Sequence, residues 1–151
     1  MKKNHRQSQS TNNEQRTTVV IVANGKFPAH EVPLKVLDDA DVVVCCDGAT
    51  LNVDRYGITP TAIVGDLDSL GDNLKEKYHD RLFHNPDQES NDLTKAIYWC
   101  LDRKYIDISI IGATGLRDDH TLGNISLLST YAKLGVNVKM LTDSGYFIPV
   151  L

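Results

Sequence analysis

Residues 17–25 read TTVVIVANG, an unbroken β-branched run that ends at an Asn-Gly turn signal. We expect a buried strand over residues 17–23, because β-branched residues favour extended structure. The run is apolar throughout rather than alternating, as is typical of a strand covered by helices on both faces of its sheet. Further strands are predicted at residues 41–46, 61–64, 81–84, 106–111 and 137–141.

Helical patterns lie between these strands. The clearest covers residues 91–104, where Leu93, Ala96, Ile97 and Cys100 share one face. Strands that alternate with helices indicate an α/β fold with a mainly parallel sheet flanked by helices, a Rossmann-like three-layer arrangement. The other helices are predicted at residues 31–38, 49–56 and 121–134, and the mixed-charge run at 72–81 indicates a solvated helix face.

The two ends of the chain differ in composition from the middle. Residues 1–16 are polar and predict a disordered tail, whereas residues 17–136 hold the α/β pattern. Residues 137–141 and 146–151 flank a Thr-Asp-Ser-Gly turn, which predicts a hairpin. Because an apolar edge strand needs cover, we expect residues 137–151 to begin a truncated C-terminal β domain, a β-hairpin or β-sandwich, or to meet a partner.

Composition excludes several classes of function. The formal net charge of −4 argues against a nucleic-acid surface, and no run approaches the roughly 18 apolar residues that a membrane helix needs. The three cysteines show no metal-ligand spacing, and the five histidines show no zinc pattern. We expect reduced, structural thiols and a cytoplasmic protein.

Acidic residues follow four of the predicted strands. In an open α/β sheet, ligands bind beyond the carboxyl ends of the strands, so these loops should open on one edge. Clustered carboxylates repel one another unless a cation is present, and oxygen ligands suit Mg²⁺. The four loops are Asp47-Gly48, residues 65–69 (GDLDS), residues 85–92 (NPDQESND) and residues 112–120 (GATGLRDDH).

The fourth loop also indicates a phosphate site. Its Gly-Ala-Thr-Gly turn leads into a helix, and backbone N–H groups at such a turn can seat a phosphate. Arg117 follows at once and could grip phosphate oxygens in a bidentate fork.

Several of these residues have structural alternatives. Asp47-Gly48 alone fits a turn that starts a helix, and Asp92 fits a helix N-terminus stabilised by a negative charge. His120 fits a hydrogen-bonded structural histidine as well as a phosphate contact. The single tryptophan, Trp99, lies in a predicted helix and fits core packing.

Taken together, the ordered motifs resemble those of thiamin pyrophosphokinases from about Val19 to the end of the chain. The resemblance rests on Asp47-Gly48-Ala49, on residues 65–69, on residues 87–96 (DQESNDLTKA), and on residues 112–115 with Arg117, Asp119, His120, Leu122 and Asn124.

The resemblance implies a magnesium-dependent enzyme that transfers diphosphate from ATP to the hydroxyl of thiamin, which gives thiamin diphosphate and AMP. It implies that Asp66, Asp68 and Asp92 are catalytic and hold Mg²⁺, with Asp47 and Asp119 as further ligands or orienters. Asp92 is the implied acceptor of the hydroxyl proton.

The resemblance also implies how the two substrates are held. Gln88 would face thiamin, and a C-terminal β-sandwich of the second subunit of a homodimer would help enclose it. The implied ATP-binding residues are Asn24, Gly25, Asp47, Gly48, Ser69, Gly112, Thr114, Gly115, Arg117, Asp119, His120 and Asn124.

Two positions depart from the family pattern. Leu116 stands where a second glycine is common, and its side chain would crowd the phosphate loop if the position needed a positive φ. Asn91 stands where threonine is common, and both residues can cap a helix.

Three other functions fit part of the pattern. A phosphatase of the haloacid dehalogenase class would use Asp66 as its nucleophile, with Asp118 and Asp119 as a downstream acidic pair. A pterin diphosphokinase would share the ATP and metal chemistry and differ in its acceptor. A truncated module would bind Mg-ATP without turnover.

Overall fold

Seven strands form one sheet in the computed structural model, which describes residues 16–150. The strands are β1 Thr18–Val22, β2 Val42–Cys46, β3 Ala62–Gly65, β4 Leu82–His84, β5 Asp107–Ile111, β6 Asn137–Leu141 and β7 Tyr146–Phe147. The helices are α1 Glu31–Asp38, α2 Thr50–Tyr56, α3 Asp72–Lys77, α4 Asp92–Asp102, α5 Asp118–Ser126 and α6 Leu128–Lys133, with short 3₁₀ turns at Asp47–Ala49 and His79–Arg81.

The sheet is parallel except at one edge. Its strand order is β4-β3-β2-β1-β5-β6-β7, and β7 runs antiparallel to its neighbour β6 while the other described strands pair in parallel. Chain order reverses beside β1, which pairs with β2 on one side and β5 on the other. Such a reversal is where open α/β sheets bind ligands.

Both faces of the sheet are buried. Val19 and Ile21 of β1 belong to a core cluster shared with α4, whereas Val20 and Val22 belong to a second cluster shared with α1 and α2. Successive side chains of one strand therefore enter different cores, which explains the unbroken apolar run. The predicted α/β fold with a mostly parallel sheet flanked by helices is confirmed, while the finer Rossmann-like description stays a prediction.

The predicted helix at residues 121–134 is wrong in its bounds. The helical backbone starts earlier, at Asp118, and α5 and α6 are separated at Leu127. Leu127 has φ −79° and ψ −13°, within the right-handed helical region, and its N–H donates to the Gly123 carbonyl at the end of α5.

The ends of the chain only partly overlap the described residues. The predicted tail at residues 1–16 lies outside them except for Arg16. Strand β7 covers two residues, shorter than the strand predicted at 146–151, whose last residue is also outside. The predicted division of the chain at residue 136 stays a prediction, and Asn137–Leu141 lies in the main sheet as β6.

The sequence predicts structural thiols and no membrane-spanning helix, and the fold bears on both predictions. Cys45, Cys46 and Cys100 are buried free thiols, and burial raises the pKa of Cys45 and of Cys100 to about 12. Among residues 16–150, no helix combines the length and apolar character needed to cross a bilayer.

Candidate active site

The loops that follow β1 and β5 are joined backbone to backbone at the reversal of strand order. The N–H of Gly25 donates to the Gly112 carbonyl at 2.6 Å, and the N–H of Lys26 donates to the Thr114 carbonyl at 2.9 Å. A Cβ on Gly25 would lie 2.5 Å from the Gly112 oxygen, so this approach requires glycine. The loop after β1 and the glycine turn after β5 thus form one continuous wall.

A cleft of about 590 Å³ opens beside this wall, beyond the carboxyl ends of the strands. Its size suits a small-molecule site. Ten of the residues predicted as site residues line it: Asn24, Gly25, Asp66, Gln88, Asp92, Thr114, Arg117, Asp119, His120 and Asn124.

Three carboxylates from three separate loops converge at one end of the cleft. Gly65 marks their meeting point, since a Cβ there would lie 3.2 Å from Asp92 Oδ1 and 3.3 Å from Asp47 Cβ. Gly65 also has a φ of +146°, which side chains rarely adopt. A glycine at this strand end therefore lets Asp47, Asp66 and Asp92 share one space.

Asp47 is the most deeply placed of the three, with only 2% of its surface exposed. Its Oδ2 accepts a hydrogen bond from the Ser69 N–H at 3.2 Å, while its Oδ1 is buried without a hydrogen-bond donor among the described residues. Burial is the main reason that its pKa rises to about 6, and the nearby carboxyls of Asp66 and Asp92 raise it further. A buried anion next to like charges is costly without a cation.

The other two carboxyls have opposite shifts. Hydrogen bonding from the Asp68 N–H, at 3.0 Å, is the main reason that the pKa of Asp66 falls below its ordinary value. Burial raises the pKa of Asp92, an effect that Lys95 partly offsets and the charge of Asp66 increases. Neighbouring carboxyls with divergent pKa values are common at catalytic sites.

These residues fit a magnesium ion held jointly with phosphates. No three His, Cys, Asp or Glu side chains within residues 16–150 are arranged to hold a metal unaided. Magnesium, however, usually takes only one or two carboxylates and completes its shell with substrate phosphates and water. Asp47 Oδ1, which accepts no hydrogen bond from any residue between 16 and 150, lies next to Asp66 and Asp92 and matches that need for a hard cation.

Two predicted ligands lie apart from this group. Asp68 is exposed and does not line the cleft. Its contact with Asp66 is made by its backbone N–H rather than by its carboxylate. Asp119 lines the cleft, but its carboxylate accepts two hydrogen bonds from the guanidinium of Arg117, at 3.1 and 2.7 Å.

The glycine turn after β5 has the expected special backbone. Gly112 and Gly115 have φ of +69° and +89°, and they form the turn without lining the main cleft. Within the described residues, positive φ at a non-glycine residue occurs at Asp47, Leu67 and Lys104. Leu116 therefore needs no glycine, and its side chain, 67% exposed, stands at the cleft rather than filling the turn.

The remaining predicted residues support the walls of the cleft. A Cβ on Gly48 would lie 2.9 Å from the amide nitrogen of Asn24, which places these two residues in contact. Asn124 donates to the Ala113 carbonyl at 3.0 Å and ties α5 to the glycine turn. Ser69 acts through its N–H on Asp47, and His120 is exposed.

Sequence reasoning missed one functional candidate, Lys95. Its side chain is 3% exposed, lines the cleft, and lies 3.7 Å from Asp92 Oδ1. The available signal was a lysine three residues after an acidic helix start, which alone predicts a surface pair.

Comparison with known proteins bears on this site. The family model of the thiamin pyrophosphokinase catalytic domain matches residues 34–140, most of the chain. The chain belongs to this family. It is 28% identical over 135 residues to a thiamine pyrophosphokinase of Bacillus subtilis, which covers 85% of this chain and 62% of that protein. It is 35% identical over 97 residues to thiamin pyrophosphokinase 1 of Caenorhabditis elegans, covering 60% of this chain and 40% of the relative.

Solved structures of thiamine pyrophosphokinases are also similar to this chain. The crystal structure of the Bacillus subtilis thiamine pyrophosphokinase has a TM-score of 0.69 at 26% identity, over 82% of this chain and 60% of that one. A probable thiamine pyrophosphokinase of Staphylococcus saprophyticus has a TM-score of 0.67 at 28% identity, over 83% and 65%. The chain thus spans less than two thirds of the length of these relatives.

Proposed function

We propose that this chain carries the nucleotide-binding and catalytic part of a thiamin pyrophosphokinase, which transfers diphosphate from ATP to the thiamin hydroxyl. The observation that carries the proposal is the convergence of Asp47, Asp66 and Asp92 from three loops at one end of the cleft. Membership of the family and the proteins that it resembles support the same reaction.

The proposed chemistry needs one bond to form and one to break. The thiamin hydroxyl oxygen bonds to the β-phosphorus of ATP, the bond from that phosphorus to the oxygen bridging the α-phosphorus breaks, and AMP leaves with that oxygen. The hydroxyl proton passes to a carboxylate oxygen of Asp92. The raised pKa of Asp92 supports this role, because a general base works best when its pKa approaches the working pH.

Magnesium would be held by Asp66 and Asp92, with Asp47 beneath them. The resemblance also implies Asp68 as a third ligand and Asp119 as a further ligand or orienter. When bound, the metal would neutralise charge on the phosphate oxygens. Arg117 and the glycine turn supply the positive charge and N–H donors for the rest of the triphosphate. Gln88, on the opposite loop, is proposed to face thiamin.

The proposal extends to a cytoplasmic homodimer in which the second subunit helps enclose thiamin. Exposed apolar residues near the described C-terminal end support a covered surface there, since such groups otherwise cost solvation free energy. They are Tyr146, Phe147, Ile148 and Val150.

A product assay tests the proposed function. The chain is mixed with ATP, MgCl₂ and thiamin, and chromatography is used to look for AMP and thiamin diphosphate in equal amounts. We expect both products, their loss in Asp66→Asn, and their retention in the matched control Asp80→Asn, an exposed carboxylate that belongs to none of the site motifs. Asp68→Asn tests whether the Asp68 carboxylate is a magnesium ligand, because activity falls only if it is.

Other outcomes would replace the proposal. Magnesium-dependent ATP binding in calorimetry without either product would identify a binding module without turnover. Release of inorganic phosphate from a phosphomonoester, lost in Asp66→Asn, would identify the phosphatase. Transfer to a hydroxymethylpterin but not to thiamin would identify a pterin diphosphokinase.

A further inference from the structure

Lys95 is the buried charged residue that the proposed reaction leaves without a role. Its ammonium sits in the wall of the cleft with 3% of the side chain exposed. Burying an ammonium is costly unless partners satisfy its charge and its three N–H donors. The placement therefore requires a structural or functional reason.

The two partners of this ammonium lie at opposite ends of one loop. Lys95 Nζ donates to the Asn85 carbonyl at 2.9 Å, directly after β4, and lies 3.7 Å from Asp92 Oδ1, at the start of α4. Residues 85–92 between these points form the acidic loop that brings Gln88 to the cleft. One side chain thus joins both ends of the loop.

Inside the loop, short-range hydrogen bonds fix the backbone but not its position. Asp87 accepts bonds from the Glu89 N–H at 3.0 Å and from the Ser90 hydroxyl at 2.7 Å, and Asn85 accepts one from the Asp87 N–H at 3.2 Å. All of these partners lie within three residues of each other along the chain. Two further contacts hold the loop near its ends: the Asn85 N–H donates to the Gly65 carbonyl at 2.7 Å, and the Asn91 side chain accepts from the Thr94 N–H at 2.8 Å. The side chain of Lys95 contacts both ends at once and attaches them to the body of α4.

We propose that Lys95 is a positioning residue: its buried ammonium clasps the ends of the loop at residues 85–92 and thereby fixes Asp92 and Gln88 in the cleft. The roles of Asp92 and Gln88 in this inference rest on the proposed function, whereas the attachment of the loop by Lys95 does not depend on it. A displacement of about 1 Å in such groups can lower a rate by about 100-fold. Lys95 acts through the loop and need not touch the reacting atoms.

The test compares Lys95→Met, which keeps the apolar stem and removes the charge, with Lys95→Arg, which keeps the charge and the donors. Lys133→Met, an exposed lysine at the end of α6, is the matched control. Hydrogen exchange of the amides in residues 85–92 is measured for each protein, together with kcat and KM for thiamin.

We expect faster exchange confined to residues 85–92 in Lys95→Met, with Lys95→Arg and Lys133→Met close to the unsubstituted protein. In the active protein, kcat/KM should fall by about 100-fold in Lys95→Met, mainly through kcat, because the acceptor of the proton is misplaced. Unchanged exchange in Lys95→Met would overturn the proposal. Equal loss of protection in Lys95→Arg would also overturn it, since packing rather than charge would then hold the loop.

The two readouts separate this inference from the proposed function. If the unsubstituted chain makes no thiamin diphosphate, the exchange measurement still decides whether Lys95 clasps the loop. If Lys95→Met does not fold, wild-type protection in Lys95→Arg supports the clasp and its loss contradicts it.

Discussion

Gly25 and Gly112 meet with no side chain between them: the Gly25 N–H donates to the Gly112 carbonyl at 2.6 Å, and a Cβ on Gly25 would lie 2.5 Å from that oxygen. The contact joins the loops after β1 and β5 at the point where the sheet reverses its strand order. Both loops line the cleft, so the shape of its wall depends on two glycines that are 87 residues apart in the chain.

Gly25→Ala should therefore lower both stability and nucleotide affinity. The obstructing atoms are backbone oxygens of Gly112 and Thr114, which cannot rotate away as a side chain would. Overpacking of this kind typically costs about 1–3 kcal/mol of the free energy of unfolding. Urea denaturation measures the loss. Gly71→Ala is the control, because a Cβ there meets nothing within 4 Å, and a similar loss in both variants would contradict the explanation.

Asp143→Ala should loosen the first loop from the other side. The Asp143 carboxylate accepts hydrogen bonds from the N–H groups of Ala29 and His30, at 3.0 and 2.9 Å, and so ties the β6–β7 turn to the start of α1. Without it, we expect faster hydrogen exchange at these two amides and weaker ATP binding. Ser144→Ala, the adjacent substitution, should leave both unchanged. Protected amides in Asp143→Ala would show that the turn does not hold the loop.

The strands could be predicted from the sequence because their residues leave little choice. β1 and β2 consist of β-branched and cysteine side chains that enter cores on both faces, so local propensity and burial agree. The helix at α5 was harder. Its periodic leucine, Leu122, is 68% exposed and no residue of α5 is buried, so the apolar pattern carried no information about where the helix starts.

The site was predictable to the level of loops, and less so for individual atoms. The position of the four acidic loops at one sheet edge follows from the parallel direction of the predicted strands that they follow. Which carboxylates converge depends on backbone detail: Gly65 with φ +146° and Leu67 with φ +68° place Asp66 in the cleft and Asp68 outside it. The burial of Lys95 depends on α4 packing against β2 and β3, a tertiary contact that no local pattern reports.

Asp54→Asn should destabilise the fold in a pH-dependent way. The Lys77 ammonium, 2.8 Å away, and the Tyr78 hydroxyl donate to Asp54 and hold its pKa below the ordinary value of 3.8. A carboxyl with a lowered folded-state pKa contributes stability above its unfolded pKa, and this contribution disappears as the pH falls through the folded value.

The free energy of unfolding of Asp54→Asn should thus fall below that of the unsubstituted chain at pH 7, and the difference should shrink as the pH falls below the ordinary pKa of 3.8. Urea denaturation at a series of pH values measures it. Asp80→Asn, an exposed carboxylate 3.9 Å from Arg81, is the control and should show little difference at any pH. A difference that persists undiminished at low pH would mean that the charge of Asp54 is not its cause.

Asp47→Asn should separate the stability of the fold from its function. The amide oxygen can still accept the Ser69 N–H, while the new NH₂ group can donate to the neighbouring Asp66 carboxylate, so a repulsive contact becomes a hydrogen bond. In EDTA we expect thermal unfolding at the same temperature as the unsubstituted chain or higher. Magnesium-dependent ATP binding, measured by calorimetry, should weaken by at least about tenfold, because losing one charged hydrogen-bonding partner typically costs about 1.5–3 kcal/mol. Lower stability in EDTA together with unchanged ATP affinity would show that Asp47 is a structural residue and would remove it from the metal site.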